Sequence, residues 1–274
     1  MNNKFLIYIY VALLSFPILA QGNLMITPTR VVFEGNKQKE ELNLANMGSE
    51  TATYSISFVQ KNMKEDGSFE NVEILDSLAF YADPYLRIFP RTVTLAPRES
   101  QSVIVQFRRK AGMQSGEYRS HLYFRSEKDY TPLSQDKDAK DSTLLSVSIT
   151  PIFGMSIPII IRTGDVSVSA SISNPKLETT TDNFQNLLFT INRVGNISLY
   201  GDISIQFIPQ QGTPFEVGSL NGVGIYTSID YRKMNIQLTN PKGGLLSKGK
   251  LKITYNSKND GKSVVYCSSE LDIK

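Results

Sequence analysis

From residue 24 onward, apolar side chains recur at every second position in one short run after another, and no other feature constrains the fold as strongly. Leu42 and Leu44 alternate with polar neighbours, as do Tyr54, Ile56 and Phe58, then Val103, Val105 and Phe107. The pattern resumes at Val166 and Val168, at Ile203, Ile205 and Phe207, and at Leu251, Ile253 and Tyr255. A strand points successive side chains to opposite faces, so each run describes a strand with one face buried. Turn-forming residues punctuate the runs: Asn46-Met47-Gly48, Ala96-Pro97-Arg98, Ser115-Gly116 and Asn240-Pro241-Lys242-Gly243. No stretch carries a helical stripe. Many short strands at regular spacing predict an all-β chain of two immunoglobulin-like β-sandwich domains.

The boundary between them falls at Arg162-Thr163-Gly164-Asp165, after the strand Ile157–Ile161 and before the alternation that starts at Val166. Residues 21–163 then form an N-terminal sandwich and residues 164–274 a C-terminal one, each of ordinary size for this architecture. So short a linker predicts a fixed angle between them. The polar stretch Ser126 to Ser142, rich in Lys and Asp, reads as a solvated loop.

Composition removes most chemistries. Lys and Arg total 29 against 26 Asp and Glu, a net charge of +3, which is too small and too scattered for a nucleic-acid surface. The chain has one His (His121), one Cys (Cys267) and no Trp. A histidine zinc cage needs several ligands, and a Cys–His nucleophile pair would rest on one copy of each. Neither a metal nor a small-molecule cofactor is expected. Catalysis by Asp/Glu pairs alone is compatible with the composition, but no motif supplies such a pair. Without Trp, a carbohydrate-binding module lacks its usual stacking platform. Cys267 has no partner for a disulfide within the chain.

Residues 1–20 place Lys4 ahead of a long apolar run that Pro17 breaks and Ala20 closes. This reads as a secretory signal peptide with cleavage near Gln21. The competing reading is an N-terminal membrane anchor, since the run approaches spanning length. Pro17 and the polar Gln21-Gly22-Asn23 favour cleavage. No Cys follows the run to carry a lipid.

Several segments narrow the fold further. The first strand of the exported chain reads Ile26-Thr27-Pro28-Thr29-Arg30-Val31-Val32-Phe33-Glu34-Gly35. ELNLANMGSETATYSISF, LRIFPRTVTLAPRESQSVIVQF, GEYRSHLYFRS and SIPIIIR follow in order. The series resembles the PapD-like periplasmic pilus chaperones over residues 24–162, with weaker similarity beyond. Thr29 to Gly35 is its most specific element, and the turn from Leu95 to Gln101 is moderately specific.

The resemblance implies two sandwiches in a bent arrangement and a non-enzymatic periplasmic chaperone. Its partners would be pilus or fimbrial subunits and an outer-membrane usher. Such a chaperone lends a strand to a subunit that lacks one, by edge pairing with alternate side chains filling pockets. The lending strand falls on Leu144–Ile161, where Val147, Ile149, Pro151, Phe153, Met155, Ile157, Ile159 and Ile161 form one apolar face. Ile157–Ile161 also suits an ordinary core strand, whereas Val147, Ile149 and Phe153 are the expected subunit contacts. Pro151 cannot donate to a ladder, which predicts a bulge or register shift. An exposed edge of this kind is also open to self-association.

By the same resemblance Arg30 grips the subunit's C-terminal carboxylate, and the second basic residue of that grip falls on Pro158, a departure. Arg162 matches an arginine of a charged link between the domains, with Asp260 as its expected partner. The link's other acidic position falls on Arg119, with Glu117 two residues earlier as a stand-in. The alternative function is a structural or adhesive two-domain surface protein. Against it, only Gln21–Leu24 precedes the first strand, which is too short to donate to a neighbour.

Overall fold

The computed structural model describes residues 24–73, 80–127, 152–259 and 262–273. The first sandwich contains β1 (Leu24–Thr27), β2 (Val31–Phe33), β3 (Lys39–Asn46), β4 (Ala52–Val59), β5 (Lys61–Met63) and β6 (Phe69–Asn71). A single 3-10 turn at Asp83–Tyr85 leads into β7 (Leu86–Phe89), β8 (Thr92–Leu95), β9 (Ser100–Phe107), β10 (Gly116–Glu127) and β11 (Gly154–Thr163). The second contains β12 (Val168–Thr179), β13 (Gln185–Gly195), β14 (Leu199–Pro209), β15 (Phe215–Ile225), β16 (Tyr231–Leu238), β17 (Gly249–Asn259) and β18 (Lys262–Ile273). The chain is all-β, and the alternating runs became its strands.

In the first sandwich, sheet β1-β3-β9-β7 faces sheet β2-β11-β10-β4-β8. Their inner faces supply Phe33, Leu42, Leu44, Leu122, Ile159 and Ile161, all fully buried in one core. Each such side chain contributes roughly 1.5–3 kcal/mol by leaving water. The opening segment serves both sheets: β1 pairs antiparallel with β3, and β2 then crosses to pair parallel with β11. In the second sandwich, β12-β13-β16 faces β15-β14-β17-β18 over a separate core that includes Leu187, Ile205, Ile253 and Tyr255. The Tyr255 hydroxyl is buried and donates to the Val223 carbonyl at 2.8 Å.

β10 departs from the alternating rule. Its residues from Gly116 to Leu122 are all buried, Glu117, Arg119 and His121 among them. Tyr118, Ser120 and Leu122 point inward. Ser120 fits there because its Oγ accepts from the Ala82 and Asp83 amides at 3.0 Å. Glu117, Arg119 and His121 lie on the opposite face, and domain two covers that face: Glu117 and Arg119 bond Ser198, and His121 meets Tyr226.

Candidate functional site: the cleft between the sandwiches

Strand register arranges the cleft face. β10 and β11 pair Glu117 with Arg162, Arg119 with Ile160 and His121 with Pro158. Parallel β2 sets Val32 beside Ile160, and extending that register by one residue in each direction sets Glu34 beside Arg162 and Arg30 beside Pro158. Val31 and Phe33 are buried in the core, so Arg30, Val32 and Glu34 occupy the other face. Ile160 is fully buried yet stands outside the domain-one core, as its place on the cleft face requires.

At one end of this surface Glu117 is buried among donors. It pairs with Arg119 Nη2 and accepts from Arg162 Nε at 3.2 Å, from the Ser198 amide at 3.0 Å and from Ser198 Oγ at 2.8 Å. Arg119 Nη2 also donates to Ser198 Oγ at 2.8 Å, and Arg162 Nη2 to the Ser198 carbonyl at 3.2 Å. Burial alone would raise the Glu117 carboxyl pKa, but Arg119, Arg162 and the Ser198 donors hold it down at about 2. Arg119 completes its packing with Cζ 3.4 Å from the centre of the Tyr226 ring. Such a buried network gives orientation more than net stability, since desolvation offsets much of the attraction.

The network joins the two sandwiches and holds Arg162 together with Glu117, the stand-in acid of the expected link. Asp260 lies outside the described residues. Among the described residues Arg162 meets Glu117 and, at 3.6 Å, the exposed Glu34. Both acids belong to domain one, and domain two contributes Ser198.

Arg30 stands apart from this network. Among the described residues its guanidinium makes no hydrogen bond or ion pair; it stacks on Tyr200 of domain two, 4.5 Å from the ring centre. Burial, then Arg119 and Arg162, lower its pKa to about 10, so it remains a cation at neutral pH. Pro158 beside it carries no charge. Next in that row, burial, Arg119 and Lys61 push the His121 pKa down to about 3, so the imidazole is neutral. The row supplies one cation. Because Arg30 is half-buried and, among the described residues, no carboxylate pairs with it, an anion entering the cleft would meet a guanidinium with its donors free.

β11 leads into the same place. β10 pairs with it along its whole length, but β2 covers only Ile159–Ile161 on its other side. Among the described residues, Gly154 to Pro158 present an open backbone edge that ends beside Arg30. Ile157, Ile159 and Ile161 face the core, and the same face continues outward as Met155, 40% exposed, and Phe153, 46% exposed. Ladder bonding reaches Phe153, whose carbonyl accepts from the Ser126 amide at 2.9 Å. Val147, Ile149 and Pro151 lie outside the described residues, as do residues 1–20 and most of the polar stretch after Ser126.

Two features of the cleft had no distinct sequence signal. Ser198-Leu199-Tyr200 reads as the ordinary start of a strand, yet it carries the hydroxyl that joins the charged network and the ring over Arg30. The β5–β6 hairpin also reaches across. Glu65 Oε2 pairs with Lys233 Nζ at 2.6 Å, its carbonyl accepts from the Lys233 amide at 2.7 Å, and Phe69 packs 5.2 Å from the Tyr226 ring.

No family model matches the chain, and no curated protein matches it. Solved structures do. The YadV chaperone is 9% identical at a TM-score of 0.45, covering 92% of this chain and 100% of its own. A CsuC–CsuE chaperone and tip-adhesion subunit pre-assembly complex, from archaic chaperone-usher Csu pili of Acinetobacter baumannii, includes a matching chain. That chain is 11% identical at a TM-score of 0.43, covering 89% of this chain and 97% of its own. A Salmonella enterica complex of the SafA pilin with the SafB chaperone also matches, at 10% identity, a TM-score of 0.41 and 93% and 98% coverage.

Proposed function

We propose that this protein is a non-enzymatic periplasmic chaperone of the PapD-like type, which holds pilus or surface-fibre subunits by lending them the strand that runs into β11. One observation carries this reading: among the described residues, the open edge of β11 ends at a half-buried arginine that makes no hydrogen bond or ion pair. β2 runs parallel to β11 and begins where that edge stops. A guest strand added to the edge in the same direction would therefore end at the start of β2. Its terminal carboxylate would arrive at Arg30. Backbone pairing would fix the guest's direction, while Phe153 and Met155, together with Val147 and Ile149 upstream, would fill apolar pockets in it.

The same arrangement accounts for a single cation. A guanidinium offers a planar fork matched to a carboxylate, so one arginine can make two parallel hydrogen bonds. An outer-membrane usher as the receiving partner follows from the family resemblance.

The test separates lending from core roles along one strand face. Phe153→Asp and Met155→Asp place a carboxylate on an exposed edge, so the free protein should melt as the wild type does. Both should lose co-purification with a co-expressed pilus or surface-fibre subunit, because a carboxylate in an apolar groove costs several kcal/mol. Ile157→Asp puts the same charge in the core and should unfold the domain. Edge variants that melt early, or that fold and still capture subunits, would refute the assignment.

A further inference from the structure

Resting on the reading that a guest carboxylate enters the cleft, we propose that domain two completes its site: Tyr200 is a positioning residue that holds the Arg30 guanidinium beneath its ring, where a second base would otherwise share the anion. A free arginine side chain samples many rotamers, and each must be surrendered when it grips a ligand. Stacking on an aromatic face restricts the guanidinium plane while leaving its edge donors available, so the fork is set before the anion arrives.

Two independent features hold the ring in place. Tyr200 pairs with Gly224 on β15. A Cβ at Gly224 would stand 3.8 Å from Tyr200 Cδ2, and one at Gly222 would stand 3.2 Å from its hydroxyl oxygen. The ring thus lies alongside a strand that presents glycines to it, and a side chain at Gly222 would press on its hydroxyl. On the other side, Ser198 is bonded to Glu117 through both its amide and its hydroxyl, and Tyr200 follows two residues later in extended backbone. The buried charged network therefore fixes the segment that lays the ring over Arg30. Neither Pro158 nor the neutral His121 can share the charge. The consequence is a carboxylate site that exists only while the two sandwiches keep their angle, so that domain geometry and guest affinity are linked.

The test uses the mature full-length chain. The probes are an N-terminally labelled octapeptide of alternating Val and Thr with a free C-terminal carboxylate, and the same peptide ending in a carboxamide; fluorescence polarisation reads both affinities. The wild type should favour the carboxylate by about thirtyfold or more. Tyr200→Ala should weaken carboxylate binding by about five- to thirtyfold and leave carboxamide binding unchanged. Tyr200→Phe should keep the preference within about twofold, because the π face remains. Tyr200→Leu, which fills similar volume without a π face, should behave as the alanine variant and stands in for it if that variant does not fold.

A wild-type preference retained in Tyr200→Ala or Tyr200→Leu, but lost in Arg30→Ala, overturns the role of Tyr200 and leaves the carboxylate reading intact. Loss of the preference in Tyr200→Phe refutes stacking as the cause. Equal binding of the two peptides by the wild type, or binding of neither at millimolar concentration, refutes the carboxylate reading itself.

Discussion

Replacing Glu117 by Gln removes the one buried anion among Arg30, Arg119 and Arg162 while keeping the side-chain volume. The amide that replaces one carboxylate oxygen is a donor, and it faces either Arg119 Nη2 or the set of Arg162 Nε and the two Ser198 donors, which then lose their acceptor. Taking one partner from a buried ion pair costs about 3–5 kcal/mol. The depression of the Glu117 pKa from 4.5 to about 2 gives about 3 kcal/mol by a separate route. Against a domain stability of roughly 5–15 kcal/mol, the loss is large. Because the folded-state pKa lies below the unfolded one, this stabilisation is fully present above about pH 4.5 and disappears as pH falls towards 2. Urea unfolding followed by circular dichroism should show the Glu117→Gln variant about 3 kcal/mol less stable than wild type near neutral pH. The gap should close as acid protonates the wild-type carboxyl. A neutral-pH gap under about 1 kcal/mol, or one that stays constant into acid, would refute the argument that the Glu117 charge organises the cleft.

Three other outcomes are expected. Burial above all, then Arg119 and Lys61, hold the His121 pKa down from 6.5 to about 3, so the unfolded chain takes up that proton first. Wild-type stability should therefore decline as pH drops from about 6.5 towards 3; in His121→Gln the decline should be shallower, and parallel melting profiles would contradict this. Gly67 has φ +86° and a Cβ there would meet the Arg232 guanidinium at 2.0 Å, so Gly67→Val should cost about 1–2 kcal/mol and loosen the hairpin's hold on domain two. Unchanged solution scattering would show that the hairpin does not set the domain angle. Burial pushes the Cys267 thiol up to about 11, so iodoacetamide near pH 8 should modify the native chain at least about tenfold more slowly than the urea-unfolded chain; equal rates would refute this.

The strands were legible in the sequence because they follow a local rule. Leu42, Leu44, Val103, Val105, Ile253 and Tyr255 alternate with polar residues, and a pleated strand with one wet face leaves no other way to bury them. Two sandwiches followed from the number of such runs and from the break at Thr163-Gly164. The Thr29–Gly35 motif singles out Arg30, whose guanidinium lies over Tyr200. The cleft was not legible in this way, because its order comes from register across strands far apart in the chain. Arg119 and His121 are buried because a second domain covers their face of β10. The contact between Arg162 and Glu117 likewise comes from register rather than spacing. β10 and β11 set the two side by side, and Ser198 arrives from more than thirty residues further along. Tyr200 carries no motif at all. Only the packing of one sandwich on the other turns an ordinary strand residue into the face on which Arg30 rests.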